Sequence, residues 1–323
     1  MNRTSCLMGA ISGAWILVFA LAPGAAAHGI AGNRVFPTTL TIDDPAVSDE
    51  ASLPTITYQR SGATADNPAT RQANFSVEYD KRITEHLGVA LNGGYTITDQ
   101  VGQGSLYGFQ NFSGTLKYQF LQDAEHELLM SAGVIRQFGG TGAQRVGADP
   151  YGSTTPTLYF GKGLGDLPNS VAYLRPFAIT GTLGYQFADV PTQSVTVVDP
   201  TTGSASLQYN HSPNQLVMGA SVQYSLPYLQ SQVKDIGLPE FLGRVTPLVE
   251  FAYTTPATRG YGQSTQGTIA PGLLYDADSY QVGVEALIPA THGSGTNVGA
   301  IIQLHLFLDD IFPNTIGKPI FGG

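Results

Sequence analysis

The chain has 323 residues, with 15 Lys and Arg against 24 Asp and Glu and a single cysteine. Only 12% of residues are charged, about half the share of an ordinary soluble domain, while 42% are hydrophobic and 10% aromatic. That balance excludes an intrinsically disordered chain, and a net charge of −9 excludes a nucleic-acid binder, which needs a basic face to neutralise phosphates. The 39 glycines and the wealth of Thr, Ser and Tyr argue against a helical protein and leave a β-rich exported or membrane-embedded one.

Residues 1–27 have the pattern of a secretory signal: Arg3 at the start, an apolar stretch from Ala14 to Ala22, and the small residues Ala25, Ala26 and Ala27 at a cleavage site. The apolar stretch is too short for a membrane helix spanning about 30 Å. Its removal takes Cys6 and Trp15 with it, so the remaining chain has no disulfide and no thiolate chemistry. Residues 28–52 have no strong period and are expected either to hang in the periplasm or to enter a lumen as a plug. After them, apolar and polar residues alternate over segments of about ten residues, the pattern of a β-barrel whose strands meet lipid on one side and a lumen on the other. Leu87, Val89, Leu91, Tyr95 and Ile97 form one such face, and Leu216, Met218, Ala220, Val222 and Tyr224 another.

Twelve strands are expected, near 53–60, 71–81, 87–98, 109–121, 127–138, 154–164, 172–187, 215–226, 244–255, 266–275, 279–289 and 297–308. With the first strand running outward, the outer loops are 61–70, 99–108, 139–153, 188–214, 256–265 and 290–296. The inner turns are 82–86, 122–126, 165–171, 227–243 and 276–278. Short inner turns and longer outer loops are the habit of bacterial barrels. The segment 227–243 has Leu229, Val233 and Ile236 at helical spacing and reads as a short interfacial helix or a longer turn. The barrel proper covers 53–308, and 309–323 form a tail. A soluble β-sandwich would also alternate. The small, uncharged polar faces, strand lengths near a bilayer crossing, and Tyr79, Tyr95, Phe120, Phe187, Tyr224 and Tyr253 near strand ends favour an all-β, antiparallel up-and-down transmembrane barrel.

By parity the lumen receives Glu78, Lys117, Gln119, Gln186, Glu250, Glu285, Gln303 and His305, together with the apolar Leu129, Ile135, Leu248, Leu287 and Ile301. Such residues tune selectivity in a water-filled pore. A narrow lumen with few charges and apolar patches points to small solutes, hydrophobic or aromatic ones among them. Nucleophilic chemistry has weak candidates: His292 with Ser294, and His211 with Ser212 near Asn210 and Asn214. No Gly-x-Ser-x-Gly elbow is present. Cleavage after Ala27 would leave His28 as an amino-terminal imidazole suited to copper, but no second ligand is identifiable. No cofactor is called for.

The signal, the twelve-strand rhythm, the hairpin from Asn74 through Leu91, and the pairing of Tyr185, Gln186 and Phe187 with the segment Leu216 to Leu226 resemble the MetA-pathway of phenol degradation family of outer-membrane proteins. The resemblance covers most of 53–308 as a style of hairpin. It implies a barrel in the outer membrane of a Gram-negative bacterium that passes or binds small organic compounds. It gives no residue a role. One departure concerns the partner implied by any such barrel, the insertion machinery, which reads a terminal aromatic. Here Phe307 closes the last strand and a tail follows, so either the tail folds back or the signal is internal. The expectation is therefore a monomeric outer-membrane channel in contact with lipid and a small solute. The alternatives are a barrel enzyme acting on lipids and an adhesive barrel binding a partner through loop 188–214.

Overall fold

The computed structural model describes residues 29–63, 68–198, 204–258 and 263–322. The expected signal segment 1–27 and the copper candidate His28 lie outside them. The chain begins with a small hairpin, β1 (Gly29–Ala31) and β2 (Arg34–Phe36). The wall then follows in order: β3 (Glu50–Ser61), β4 (Thr70–Arg82), β5 (Leu87–Gln100), β6 (Gly104–Phe109), β7 (Ser113–Asp123), β8 (Leu128–Gln137), β9 (Ser153–Gly163) and β10 (Phe177–Ala188). A separate hairpin, β11 (Thr192–Val198) with β12 (Ala205–His211), interrupts it. The wall resumes with β13 (Gln215–Tyr224), β14 (Val245–Pro256), β15 (Gln266–Asp276), β16 (Tyr280–Pro289) and β17 (Gly299–Phe307).

Each wall strand pairs antiparallel with its neighbours, and β3 closes the ring by pairing with both β4 and β17. Closure leaves no free sheet edge, which is what permits a strand assembly to sit in hydrocarbon. The wall has twelve positions because β6 and β7 share one. The upper half of β5 pairs with β6, as in Tyr95 opposite Phe109, and its lower half pairs with β7, as in Asn92 opposite Ser113. The register changes by one residue between them, so the ladder breaks at Asn111 and Phe112, just past Gln110, whose N–H still donates to the Gly94 carbonyl. The segment 138–152 covers the break: the Ala143 N–H donates to the Phe109 carbonyl and the Gly142 N–H to Asn111 Oδ1.

Several expected boundaries move. Most of loop 99–108 is strand, because β5 and β6 continue their pairing to Gln100 and Gly104. The strand expected from 172 begins at Phe177, since Asn169–Leu174 forms a 3-10 turn ahead of Pro176. Loop 188–214 contains the β11–β12 hairpin, joined by the ordinary cross-strand ladder. The segment 227–243 has short helical turns at Leu226–Tyr228, Leu229–Val233 and Glu240–Gly243; Leu229 is buried whereas Ile236 is exposed. Of the two readings of the tail, folding back is the one observed. The Ile320 and Phe321 N–H groups donate to the carbonyls of Arg82 and Ile83, and Lys81 Nζ donates to the Ile316 and Lys318 carbonyls.

Burial is inverted relative to a soluble protein. Glu250, Gln281, Glu285, His305, Ser131, Ser221 and Thr180 are almost wholly buried, while Leu91, Leu116, Leu158, Leu183, Val284 and Ile302 are each about half exposed on the outside of the wall. Water would drive those apolar side chains inward; hydrocarbon solvates them at no cost. Aromatic pairs flank this belt at both ends: Phe177 with Tyr224 at the end bearing the barrel termini, Tyr95 with Phe109 and Tyr185 with Phe187 at the other. Among the described residues no helix is long and apolar enough to cross a membrane.

Leu183 stands at the middle of the belt, opposite Leu158 and Met218. Leu183→Arg is expected to destabilise the barrel by about 2–4 kcal/mol in lipid. Equilibrium urea unfolding from phospholipid vesicles measures it, and the lumen-side change Gln186→Lys serves as the control with a much smaller loss.

Candidate functional site

The site is the lumen, and residues 29–49 fill its half nearest the barrel termini. The β1–β2 hairpin enters from that end. Arg34 is buried at its tip and gathers three inner turns. Its Nε donates to Glu127 Oε2 at 3.1 Å, Nη1 to the Pro176 carbonyl at 3.1 Å and Nη2 to the Arg175 carbonyl at 2.5 Å. The Tyr228 ring lies 3.8 Å beneath the guanidinium, and Tyr228 Oη donates to the other Glu127 oxygen at 2.7 Å. A buried guanidinium is tolerated only with such a full set of acceptors. Glu127 has a positive φ of 46°, unusual for a residue with a side chain, in the turn from which its carboxylate meets Arg34, Tyr228 and the Gly165 N–H.

Beyond the hairpin, the chain climbs to a second anchor. The Glu250 carboxylate accepts from three consecutive backbone N–H groups, those of Leu40 at 2.9 Å, Thr41 at 2.7 Å and Ile42 at 2.9 Å. Thr41 Oγ1 donates to Glu285 Oε2 at 2.8 Å. Successive N–H groups turned to one point form an anion cradle, here filled by a side chain of the wall. Glycine makes the approach possible: a Cβ on Gly219 would strike Ile42, and one on Gly283 would strike Leu40. The plug then descends. Lys117 Nζ donates to Asp43 Oδ1 at 2.9 Å and to the Asp44 carbonyl at 3.0 Å, and Ser131 Oγ donates to the Pro45 carbonyl. Finally Asp49 accepts from Arg82 Nε at 2.7 Å, the Arg82 N–H at 2.8 Å and Lys81 Nζ at 2.5 Å before β3 begins.

Four of the eight lumen candidates therefore hold the plug. Glu250, Glu285 and Lys117 do so directly. His305 faces Thr38 Oγ1 at 3.4 Å and is itself fixed between Glu50 at 2.8 Å and Ser52 at 2.8 Å. The other four bond within the wall: Glu78 accepts from Asn92 at 3.0 Å, Gln119 donates to Gln122 at 3.2 Å, Gln186 to Ser153 at 2.8 Å and Gln303 to Thr55 at 2.9 Å. Three of the apolar inward residues are also covered. Leu129 packs with Ala31, Phe36 and Ala46, and Leu287 and Ile301 pack with Ala270 against Leu40. Sequence reasoning did not single out Arg34, Arg82 or Glu127, and it gave Asp49 only a place in an acidic stretch. The available signal was that a chain so poor in charge places Arg34, Asp43, Asp44 and Asp49 in one short segment.

Above the plug, at the loop end, the lumen stays open. One cavity of about 360 Å³ is lined by Thr57, Gln59, Gln72, Asn74, Thr96 and Gln110. A neighbouring one of about 290 Å³ shares Gln59 and reaches Thr254, Gln266 and Thr268. A groove of about 600 Å³ lined by Leu116, Leu158 and Leu183 lies on the outside of the wall and belongs to the apolar belt. Ser294 Oγ accepts from the Gly267 N–H and shares a hydrogen bond with Thr291, a turn-capping arrangement beside His292. His211 Nδ1 lies 3.2 Å from Thr192 Oγ1 on the separate hairpin. Among the described residues no group of three His, Cys, Asp or Glu is placed to hold a metal ion.

No family model and no curated protein matches this sequence. Among solved structures, the COG4313 outer membrane channel from Pseudomonas putida F1 superposes with a TM-score of 0.54 at 9% identity, covering 84% of this chain and 99% of that one. The NanC porin gives 0.45 at 10% identity over 79% of this chain and 98% of its own, and the toluene transporter TbuX from Ralstonia pickettii gives 0.42 at 12% identity over 88% and 97%. At such identities the likeness to the first is one of fold.

Glu250→Gln removes the charge from the three-donor cradle and is expected to weaken plug seating by about 1.5–3 kcal/mol. Amide hydrogen exchange at Leu40, Thr41 and Ile42 should accelerate accordingly while β-wall amides keep their protection. A second expectation concerns pH. Burial, with Glu50 next, pushes the Asp44 carboxyl from 3.8 up to about 7, Lys117 opposing. The seated plug then binds this proton more tightly than a released, solvated one. Its contribution to seating is complete below ~4, the ordinary carboxyl range, and is lost as pH rises through about 7. Exchange at the plug amides, corrected for intrinsic rates, should therefore quicken between pH 5 and 8, and Asp44→Asn should flatten that dependence.

Proposed function

We propose that the chain is an outer-membrane channel for small solutes, passed by diffusion and closed on the periplasmic side by its own residues 29–49. The observation that supports this most is the chemistry of the plug contacts. Arg34, Glu250, Lys117 and Asp49 join plug to wall through ion pairs and hydrogen bonds, which water replaces when the segment leaves. Both ends of the wall chain, Glu50 and Phe307, lie at the plugged end, and bacterial barrels keep that end in the periplasm. The apolar belt then faces outer-membrane lipid, and Phe307 is the strand-closing aromatic offered to the insertion machinery, with the folded-back tail beyond it. A chain of the same fold is an outer membrane channel.

A preference for hydrophobic or aromatic solutes, as in the family that the hairpins resemble, would belong to the unplugged lumen. Only there are Leu129, Leu287 and Ile301 free of Phe36 and Leu40.

Proteoliposome flux tests the reading. The unaltered protein should pass small solutes slowly, and the Arg34→Ala, Glu250→Gln double variant faster. If the double variant folds into vesicles yet remains as tight as protein-free lipid, the channel reading fails. A greater rise for phenol than for glucose in the double variant is the result expected of an apolar lumen.

A further inference from the structure

The open vestibule differs in chemistry from the plugged half. Its fuller cavity is lined by six side chains, Thr57 and Gln59 from β3, Gln72 and Asn74 from β4, Thr96 from β5 and Gln110 from the β6–β7 break. They are contiguous across the wall: Thr57 stands opposite Asn74, Gln59 opposite Gln72, and Asn74 opposite Thr96. No charged side chain and no aromatic ring is among them. That composition gives this cavity no counter-charge for a phosphate or carboxylate and no surface on which a ring could stack; a cation of the vestibule, Arg60, lines the neighbouring cavity.

The groups are also held in a fixed orientation. Gln110 Nε2 donates to Thr96 Oγ1 at 2.8 Å, and Thr96 Oγ1 donates to Asn74 Oδ1 at 2.9 Å. Gln110 Nε2 also approaches the Val146 carbonyl at 3.3 Å, so the segment covering the β6–β7 break sets its direction. Gln72 Nε2 donates to Thr98 Oγ1 at 3.3 Å. This relay uses the Asn74 carbonyl oxygen and the Gln110 and Gln72 NH₂ groups. It leaves the Asn74 NH₂ as a donor and the Gln110 and Gln72 carbonyl oxygens as acceptors, and the Gln59 amide and Thr57 hydroxyl, which line the same cavity, can act as either. Interleaved donors and acceptors match hydroxyl groups, each of which donates once and accepts at the same atom.

From this relay and its uncharged lining we propose that this cavity of the outer vestibule is a binding subsite for a small, neutral, polyhydroxylated solute such as a monosaccharide. This rests on the channel reading and concerns the vestibule alone, not the apolar lumen that is bared when the plug leaves. The subsite lies above the plug and is complete while the plug is seated, so it loads solute before passage.

The test is equilibrium binding, separate from flux. The full-length protein in detergent micelles is titrated with glucose, glucuronate and phenol by saturation-transfer NMR. Saturable binding of glucose is expected, with glucuronate and phenol weaker. Asn74→Leu with Gln110→Leu should weaken glucose binding about tenfold or more, the loss expected from two hydrogen-bonding side chains. Retained heat-modifiable migration shows that the variant is folded. If it does not fold, Gln110→Glu, which keeps the shape and changes the donor, takes its place and should weaken glucose binding likewise. Absence of glucose binding, equal binding by the variants, or displacement of glucose by phenol overturns the proposal. Binding without flux would sink the channel reading alone, and flux without binding the subsite alone.

Discussion

A carboxylate buried inside a protein must find donors, and Glu250 finds three of them in the backbone of another segment. Much of the lumen follows from that constraint. A strand wall with lipid outside has to turn its polar side chains inward, so Glu250, Glu285, Lys117 and His305 are all placed where bulk water is scarce. The wall does not satisfy them by itself. Residues 38–49 supply the missing N–H, hydroxyl and carboxylate groups, and the pairing of wall and plug is reciprocal: wall carboxylates take plug donors, and wall cations take plug carboxylates.

The two layers consequently differ in kind. The wall is held by a closed backbone ladder with no edge from which to unravel. The plug is held by side chains at a few points, with two small apolar contacts around Leu129 and Leu287. Local opening draws on the weaker layer, since segments with few apolar contacts and many replaceable hydrogen bonds sit at the low end of the stability range. The Arg34 clamp spans three turns of the wall, and the Asp49 anchor joins plug, β4 and the folded-back tail through Arg82, whose Nη2 lies 3.5 Å from Asp309 and 3.2 Å from the Gly317 carbonyl. The plug is thus tied at both its ends and, through the three N–H groups of residues 40–42 on Glu250, at its middle.

Above the plug the chemistry changes from ionic to neutral. The charged contacts between plug and wall lie in the terminal half, while Gln59, Gln72, Asn74, Thr96 and Gln110 line one cavity of the open half and Arg60 the next. On the proposed channel reading, a solute entering from the loop end meets amides and hydroxyls first and the ion-paired seal second.

The alternation of Leu216, Met218 and Val222 with Ser221 and Gln223, repeated along the chain, fixed the strands, their two faces and their number, because a strand in a bilayer has only one way to place a period of two. The inward positions of Glu250 and Lys117 were legible for the same reason. What those residues meet was not legible, since Glu250 and Leu40 are 210 positions apart and the plug has no period of its own. Nor did spacing reveal that β6 and β7 share one wall position, because a one-residue register change leaves no mark in composition. The sequence alone determined a closed wall with a greasy outside and a polar inside; only the tertiary structure decided that the inside is half filled. The reason is physical: periodicity reports the solvent each face sees, whereas the partner of a buried charge depends on which distant segment can reach it.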